Sequence, residues 1–213
     1  MTLFSIRKAL ALFMVASLAA CGGGSDKATF VVGGSVYSLA YTGLTLKTGD
    51  QVLEVKPVLL AGTPQTVKYA FPNTIDYGTA YTVSVATSPA QQSCVVYPFG
   101  TNNENRDSAG HTATIDVTVN CTTYSYALGG TVNGLTGTGL VLINGSVDTL
   151  TVAAAAPTFT FAKPVLVDAS YGVSILTQPA GQTCTVVNGT GIMPNAAMTS
   201  ASANPVTVNC VNS

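Results

Sequence analysis

Tryptophan is absent from the 213-residue chain, histidine occurs once, and charged residues make up only 8%. Each shortage excludes something. A nucleic-acid binder needs a cationic face. Once Arg7 and Lys8 of the leader are set aside, the chain has six bases against nine acids, so no nucleic-acid partner is expected. Without tryptophan the usual stacking surface for sugar rings is missing, and so is the core tryptophan of antibody-type domains. With a single histidine, His111, a histidine-based metal centre or a classical hydrolase triad has little to draw on. No apolar run reaches the roughly 20 residues that span a bilayer.

The N-terminus carries a basic patch at Arg7 and Lys8, an apolar run from Ala9 to Leu18, then small residues before Cys21. That order reads as a secretory signal at 1–20. The Leu18-Ala19-Ala20-Cys21 stretch resembles the lipobox of bacterial lipoproteins. The resemblance implies that the Cys21 thiol receives a diacylglycerol and that cleavage leaves it as the first residue. The partner it implies is the membrane, reached through lipid at Cys21, in the envelope of a Gram-negative bacterium. Gly22 follows in place of aspartate, which by the same resemblance favours the outer membrane over the inner. Residues 21–27 are rich in glycine and read as a flexible tether.

The rest of the chain repeats itself. The segment 31–49 lies over 127–145, placing Gly33-Gly34 on Gly129-Gly130 and Val36 on Val132. The segment 81–94 lies over 171–184, and Val-Thr-Val-Asn-Cys occurs at both 117–121 and 206–210. Three blocks in the same order, with matching cysteines, define two tandem modules, 28–122 and 123–213. Each reads as strands. Tyr81, Val83 and Val85 alternate with polar or small neighbours, and 112–121 places Ala113, Ile115, Val117, Val119 and Cys121 on one face. Gly, Pro and Asn clusters recur at sandwich spacing. The fold class expected is therefore all-β: two tandem Ig-like or transthyretin-like β-sandwich modules of about seven strands each, preceded by a signal-peptide helix. Strands are expected in module 1 near 29–37, 43–47, 51–56, 67–71, 80–87, 92–97 and 112–121.

Setting Cys21 aside leaves four cysteines, two per module at matching positions. Four allow three pairings. A module that folds alone pairs within itself, so Cys94–Cys121 and Cys184–Cys210 are expected, in an oxidising compartment. The spacing and the missing tryptophan do not fit the antibody pattern. The strand order resembles carboxypeptidase-regulatory and transthyretin-like sandwiches. Module 2 is more closely similar to a repeat of proteobacterial surface proteins, which reads Gly-Gly-Thr-Val-x-Gly-Leu, Gly-Leu-Val-Leu-x-x-Asn-Gly, Gln-Pro-x-Gly-Gln-x-Cys-x-Val-x-Asn-Gly-x-Gly, and Val-x-Val-x-Cys. Positions 129–135, 139–145, 178–191 and 206–210 carry it. Module 1 departs from it by losing the Asn-Gly turn and by an insertion near 57–66. The repeat implies a fold and a surface setting, and no chemistry.

Little in the sequence points to chemistry. His111 has Asp107 and Ser108 nearby in sequence, but the alignment puts Ser200 at its place in module 2, and it reads as a solvated loop residue. Asn102, Asn103, Glu104, Asn105 and Asp107 lack the spacing of a calcium loop. The glycine-rich 134–139 segment lacks the Lys-Ser/Thr of a phosphate cradle. No metal, cofactor or catalytic residue is expected. If module 1 has a binding surface, the candidate is the 97–112 loop, with Tyr97 and Phe99 beside Asn102, Asn103, Glu104, Asn105 and Asp107. The functional expectation is a non-enzymatic, membrane-anchored structural, spacer or adhesive module. The alternative is a glycan- or peptide-binding module that uses loops at one end of a sandwich.

Overall fold

The structure is a computed structural model that describes residues 27–99, 105–146 and 148–213. The signal peptide, its expected helix and Cys21 lie outside the described residues. Every regular element described is a β-strand, and the strands divide into two sandwiches, each with its own core.

In module 1 a four-stranded sheet runs in the order Gln92–Val96, Ile115–Thr123, Val32–Tyr37, Val67–Ala70. It faces a three-stranded sheet of Ser84–Thr87, Leu44–Thr48 and Gln51–Val55. Module 2 repeats the four-stranded sheet as Gln182–Val187, Val206–Asn212, Gly129–Asn133, Thr158–Thr160. Its second sheet holds Asp148–Val152, Leu140–Asn144, Ser170–Thr177 and Thr190–Ile192. The alternation read from the sequence is the alternation of burial: Ile115, Val117, Val119 and Cys121 point inward, and Val206, Val208 and Cys210 do the same in module 2. Burying these side chains between two sheets removes apolar surface from water, which drives the fold.

Each module's opening strand pairs in parallel with its closing strand, placing Gly34 opposite Val117 and Gly130 opposite Val206. Here the double glycine is required. A methyl group on Gly34 would run into the Val117 carbonyl, and one on Gly130 into the Val206 carbonyl. Beside this close approach, Tyr69 and Phe71 meet edge to face with ring centres 6.0 Å apart, and Phe159 and Phe161 repeat the arrangement at 5.8 Å.

Cys94 and Cys121 sit directly opposite on neighbouring antiparallel strands and are bonded, as are Cys184 and Cys210. The bridges close loops of 27 and 26 residues. In the chain-entropy account each contributes roughly 3–4 kcal/mol.

A buried glutamine is fixed the same way in each module. Gln92 is fully buried. Its Oε1 accepts from the Ala40 and Tyr41 amides at 2.9 and 3.2 Å, and its Nε2 donates to the Ser38 carbonyl at 2.8 Å and the Thr123 hydroxyl at 3.1 Å. Gln182 does the same with the Thr136 and Gly137 amides and the Gly134 carbonyl. Each glutamine satisfies loop groups that the fold hides from water, which would otherwise be costly.

Several expectations need correction. The closing strand of module 1 is Ile115–Thr123, not 112–121, and Ala113 is exposed rather than inward. Because the strand continues through Thr123, the only residue between it and the next strand, Ser125–Tyr126, is Tyr124. The insertion near 57–66 is a hairpin, Leu59–Leu60 against Thr63–Pro64, whose turn residues Ala61 and Gly62 both take positive φ. The 97–112 segment is not all loop: Arg106–Ser108 is a short strand paired with Ala80–Thr82. Its partner in module 2 is Thr190–Ile192 against Ser170–Thr177. Asp107 lies opposite Tyr81 and Gly191 opposite Tyr171, so in this register the counterpart of His111 is Asn195, not Ser200.

Candidate functional site

Strand direction fixes which loops share an end. The strand Gln92–Val96 finishes opposite Val119, and the closing strand begins beside Val32. Residues 97–99 and 105–114 therefore lie at the end of module 1 where the chain enters, away from module 2.

Of the candidate binding-loop residues, Asn102, Asn103 and Glu104 lie outside the described residues. The others do not form one surface. Tyr97 is exposed, and its amide extends the sheet ladder to the Thr118 carbonyl. Phe99 instead turns inward, packs on the core and stacks on Tyr81 with ring centres 5.8 Å apart. Burial, and then Asp107, pushes the Tyr81 hydroxyl up from its ordinary range. Asp107 accepts from the Ser108 amide at 2.8 Å and contacts His111 Nδ1 at 2.6 Å. The Ser108 amide, then His111, holds its carboxyl below the ordinary range. The amide of Ser108 is what engages Asp107, and His111 faces the carboxylate. Among the described residues these three make no nucleophile–base pair.

A second cluster went unnoticed in the sequence. On the outer face of the four-stranded sheet, Lys68 Nζ donates to the Ser35 hydroxyl at 2.6 Å and contacts Asp116 Oδ2 at 3.4 Å. Ser35 donates onward to Asp116 Oδ1 at 3.3 Å. A serine beside a lysine invites a hydrolase reading. Here Lys68 is the donor, its side chain is 73% exposed, and Ser35 itself is buried, out of a substrate's reach. The cluster is a polar bracket, not an activated nucleophile. Beneath it the Tyr69 hydroxyl is buried and donates to the Val117 carbonyl at 3.0 Å. Burial, with Asp116 adding to it, raises that hydroxyl well above its ordinary range. Cross-strand register was the only available signal for this bracket: Ser35 faces Lys68, and Asp116 lies opposite Gly33, two residues along and on the same face.

The third feature is the junction. The Tyr124 amide donates to the Gln91 carbonyl of module 1 at 2.9 Å, and the Val167 amide of module 2 donates to the Tyr124 carbonyl at 3.0 Å. Asn195 Nδ2 donates to the Ala90 carbonyl at 2.9 Å and is itself positioned by the Tyr126 hydroxyl at 2.7 Å. The Tyr41 hydroxyl reaches the Val167 carbonyl at 3.4 Å. Its own titration is raised, first by burial and then by Asp168. Loops at one end of module 1 thus meet loops at the near end of module 2.

Among the described residues no group of three or more His, Cys, Asp or Glu side chains is placed to hold a metal ion. Among them, too, no helix is long and apolar enough to cross a membrane.

No family model and no curated protein matches the chain. Among solved structures, the C-terminal fragment of the pilus adhesin SpaC from Lactobacillus rhamnosus GG is similar over 87% of this chain and 97% of its own, at 11% identity and a TM-score of 0.37. The major pilin protein from Streptococcus pyogenes is similar over 89% and 99%, at 14% identity and a TM-score of 0.27. Likeness this weak carries no functional argument.

Proposed function

We propose that the chain is a non-enzymatic lipoprotein of a Gram-negative envelope, anchored through Cys21, in which two sandwich modules held end to end act as a spacer or adhesive display unit. The observation that carries this reading is the joint. Its single linking residue, Tyr124, is tied by its amide to one module and by its carbonyl to the other, and Asn195 and Tyr41 add bonds across the gap. A joint with no slack favours a fixed extension over a hinge. The lipobox resemblance at 18–21 supplies the anchor and Gly22 the preference for the outer membrane. Two or more acyl chains hold a protein to a bilayer stably where one is marginal. The polar clusters give an enzyme no support: the Ser35 hydroxyl is buried under its own hydrogen bonds, and His111 faces only the Asp107 carboxylate.

Metabolic labelling tests the anchor. The wild-type protein should take up labelled palmitate and fractionate with membranes, and Cys21→Ala should lose both. A wild-type protein that stays unlabelled would remove the lipoprotein reading.

A further inference from the structure

Lys68 and Asp116, the charged members of the bracket, line a hollow of about 440 Å³ on the outer face of the four-stranded sheet. Its floor is low because Gly33 and Ala70, side by side on neighbouring strands, have little or no side chain. Val31, half exposed where the chain enters the module, also lines it.

In module 2 the corresponding place is filled differently. Thr160 stands where Ala70 does, and its hydroxyl lies 3.0 Å from where a methyl on Gly129 would be. Thr158 replaces Lys68 in the sheet register, and Pro205, just before Val206, takes the place of Asp116. Every substitution that opens and charges the hollow is confined to module 1, on a frame otherwise shared.

The chemistry of the rim narrows the ligand. Lys68 has three N–H donors, of which Ser35 and Asp116 take two, and Asp116 keeps unused lone pairs. A charged donor and a charged acceptor therefore stand 3.4 Å apart, both open to solvent. Their charges offset one another, so the site suits a neutral group that both donates and accepts. Neighbouring hydroxyls of a sugar ring do both, and charge-assisted hydrogen bonds are the stronger kind. The small apolar floor, with the half-exposed Val31 beside it, suits the C–H face of the ring. A peptide adding as a strand would extend the sheet in its plane at the Val67–Ala70 edge, whereas the hollow lies on the sheet's face.

We propose that this hollow binds a neutral saccharide unit through the Lys68–Asp116 pair. The inference goes beyond the display reading, which stands whether or not the hollow is occupied. The 27–213 fragment suits the test, since both cores and both disulfides lie inside it. The labelled fragment is titrated with glucose, galactose, mannose and N-acetylglucosamine, each to tens of millimolar, while backbone amide shifts are followed. At least one sugar should shift Gly33, Ser35, Lys68, Ala70 and Asp116 and leave Gly129, Thr131 and Thr160 unmoved. Asp116→Ala and Lys68→Ala should each weaken that binding by about tenfold. Ala70→Thr, which imports the module 2 residue, should abolish it without altering the rest of the spectrum. Silence with all four sugars overturns the proposal. So do equal shifts in both modules, or binding that survives loss of both charged partners.

Discussion

Modules 1 and 2 differ in chain length mainly in three segments, and all three are connections. Module 1 carries the hairpin around Leu59–Thr63 and the longer path from Val96 to Arg106, and module 2 carries the longer path from Ile192 to Val206. The glycine pair under the closing strand, the edge-to-face aromatic pair, the cross-strand disulfide and the buried glutamine recur at matching places. The shared parts are those whose geometry the sandwich dictates. Connections tolerate insertion because lengthening a loop adds little entropy cost. Module 1 has also gained charge on one sheet face, at Lys68 and Asp116, where module 2 has threonine and proline.

If one frame underlies both modules, damage to a shared element should cost both alike and stay local. The largest effect belongs to the glycines. Gly34→Ala should destabilise module 1, and Gly130→Ala module 2, by roughly 4 kcal/mol or more, since the new methyl meets the Val117 backbone in one and the Val206 backbone and Phe159 ring in the other. Hydrogen exchange resolved by module should show one module loosened and the other protected. Loosening of both would mean that they are not autonomous. Next comes the buried glutamine. Gln92→Ala and Gln182→Ala each strand loop amides and a carbonyl, and should cost about 3 kcal/mol in their own module. Unequal costs in denaturant melts would break the equivalence.

Smaller effects sharpen the contrast. Tyr69→Phe removes the hydroxyl bonded to the Val117 carbonyl and makes module 1 resemble module 2, which has Phe159 there. It should cost about 1 kcal/mol, read from the module 1 transition. The smallest effect is the pH response of Asp107. Its carboxyl titrates below the ordinary range when folded, so its contribution is present above the unfolded carboxylate range and is lost as pH falls through the folded value. Module 2 has Gly191 at that place. Asp107→Asn should flatten the acid response of module 1 alone, measured as its melting shift between neutral pH and pH 3.

The all-β, two-module layout was legible because period-two alternation and cysteine-closed repeats survive in the sequence. Other features were hidden for physical reasons. Gln182 stands in the sequence only as one position of the repeat motif, since nothing local reveals that it, like Gln92, folds its side chain back onto a loop some 50 residues earlier. Arg106–Ser108 is short and polar, with no alternation to betray a strand. Its alignment with Thr190–Ile192 rests on backbone pairing, because Ala109 and Met193 fill the same buried place without sequence likeness. The bracket of Ser35, Lys68 and Asp116 joins three strands, so its members are neighbours only once the parallel first-to-last pairing is known.

The central claim is that two copies of one sandwich are held end to end through Tyr124. Small-angle scattering of the 27–213 fragment tests it most directly. The joint predicts an elongated distance distribution with two lobes, one for distances within a module and one for distances between modules. A compact, single-peaked distribution would mean that the modules pack side by side in solution, and would contradict both the joint and the extended display it supports.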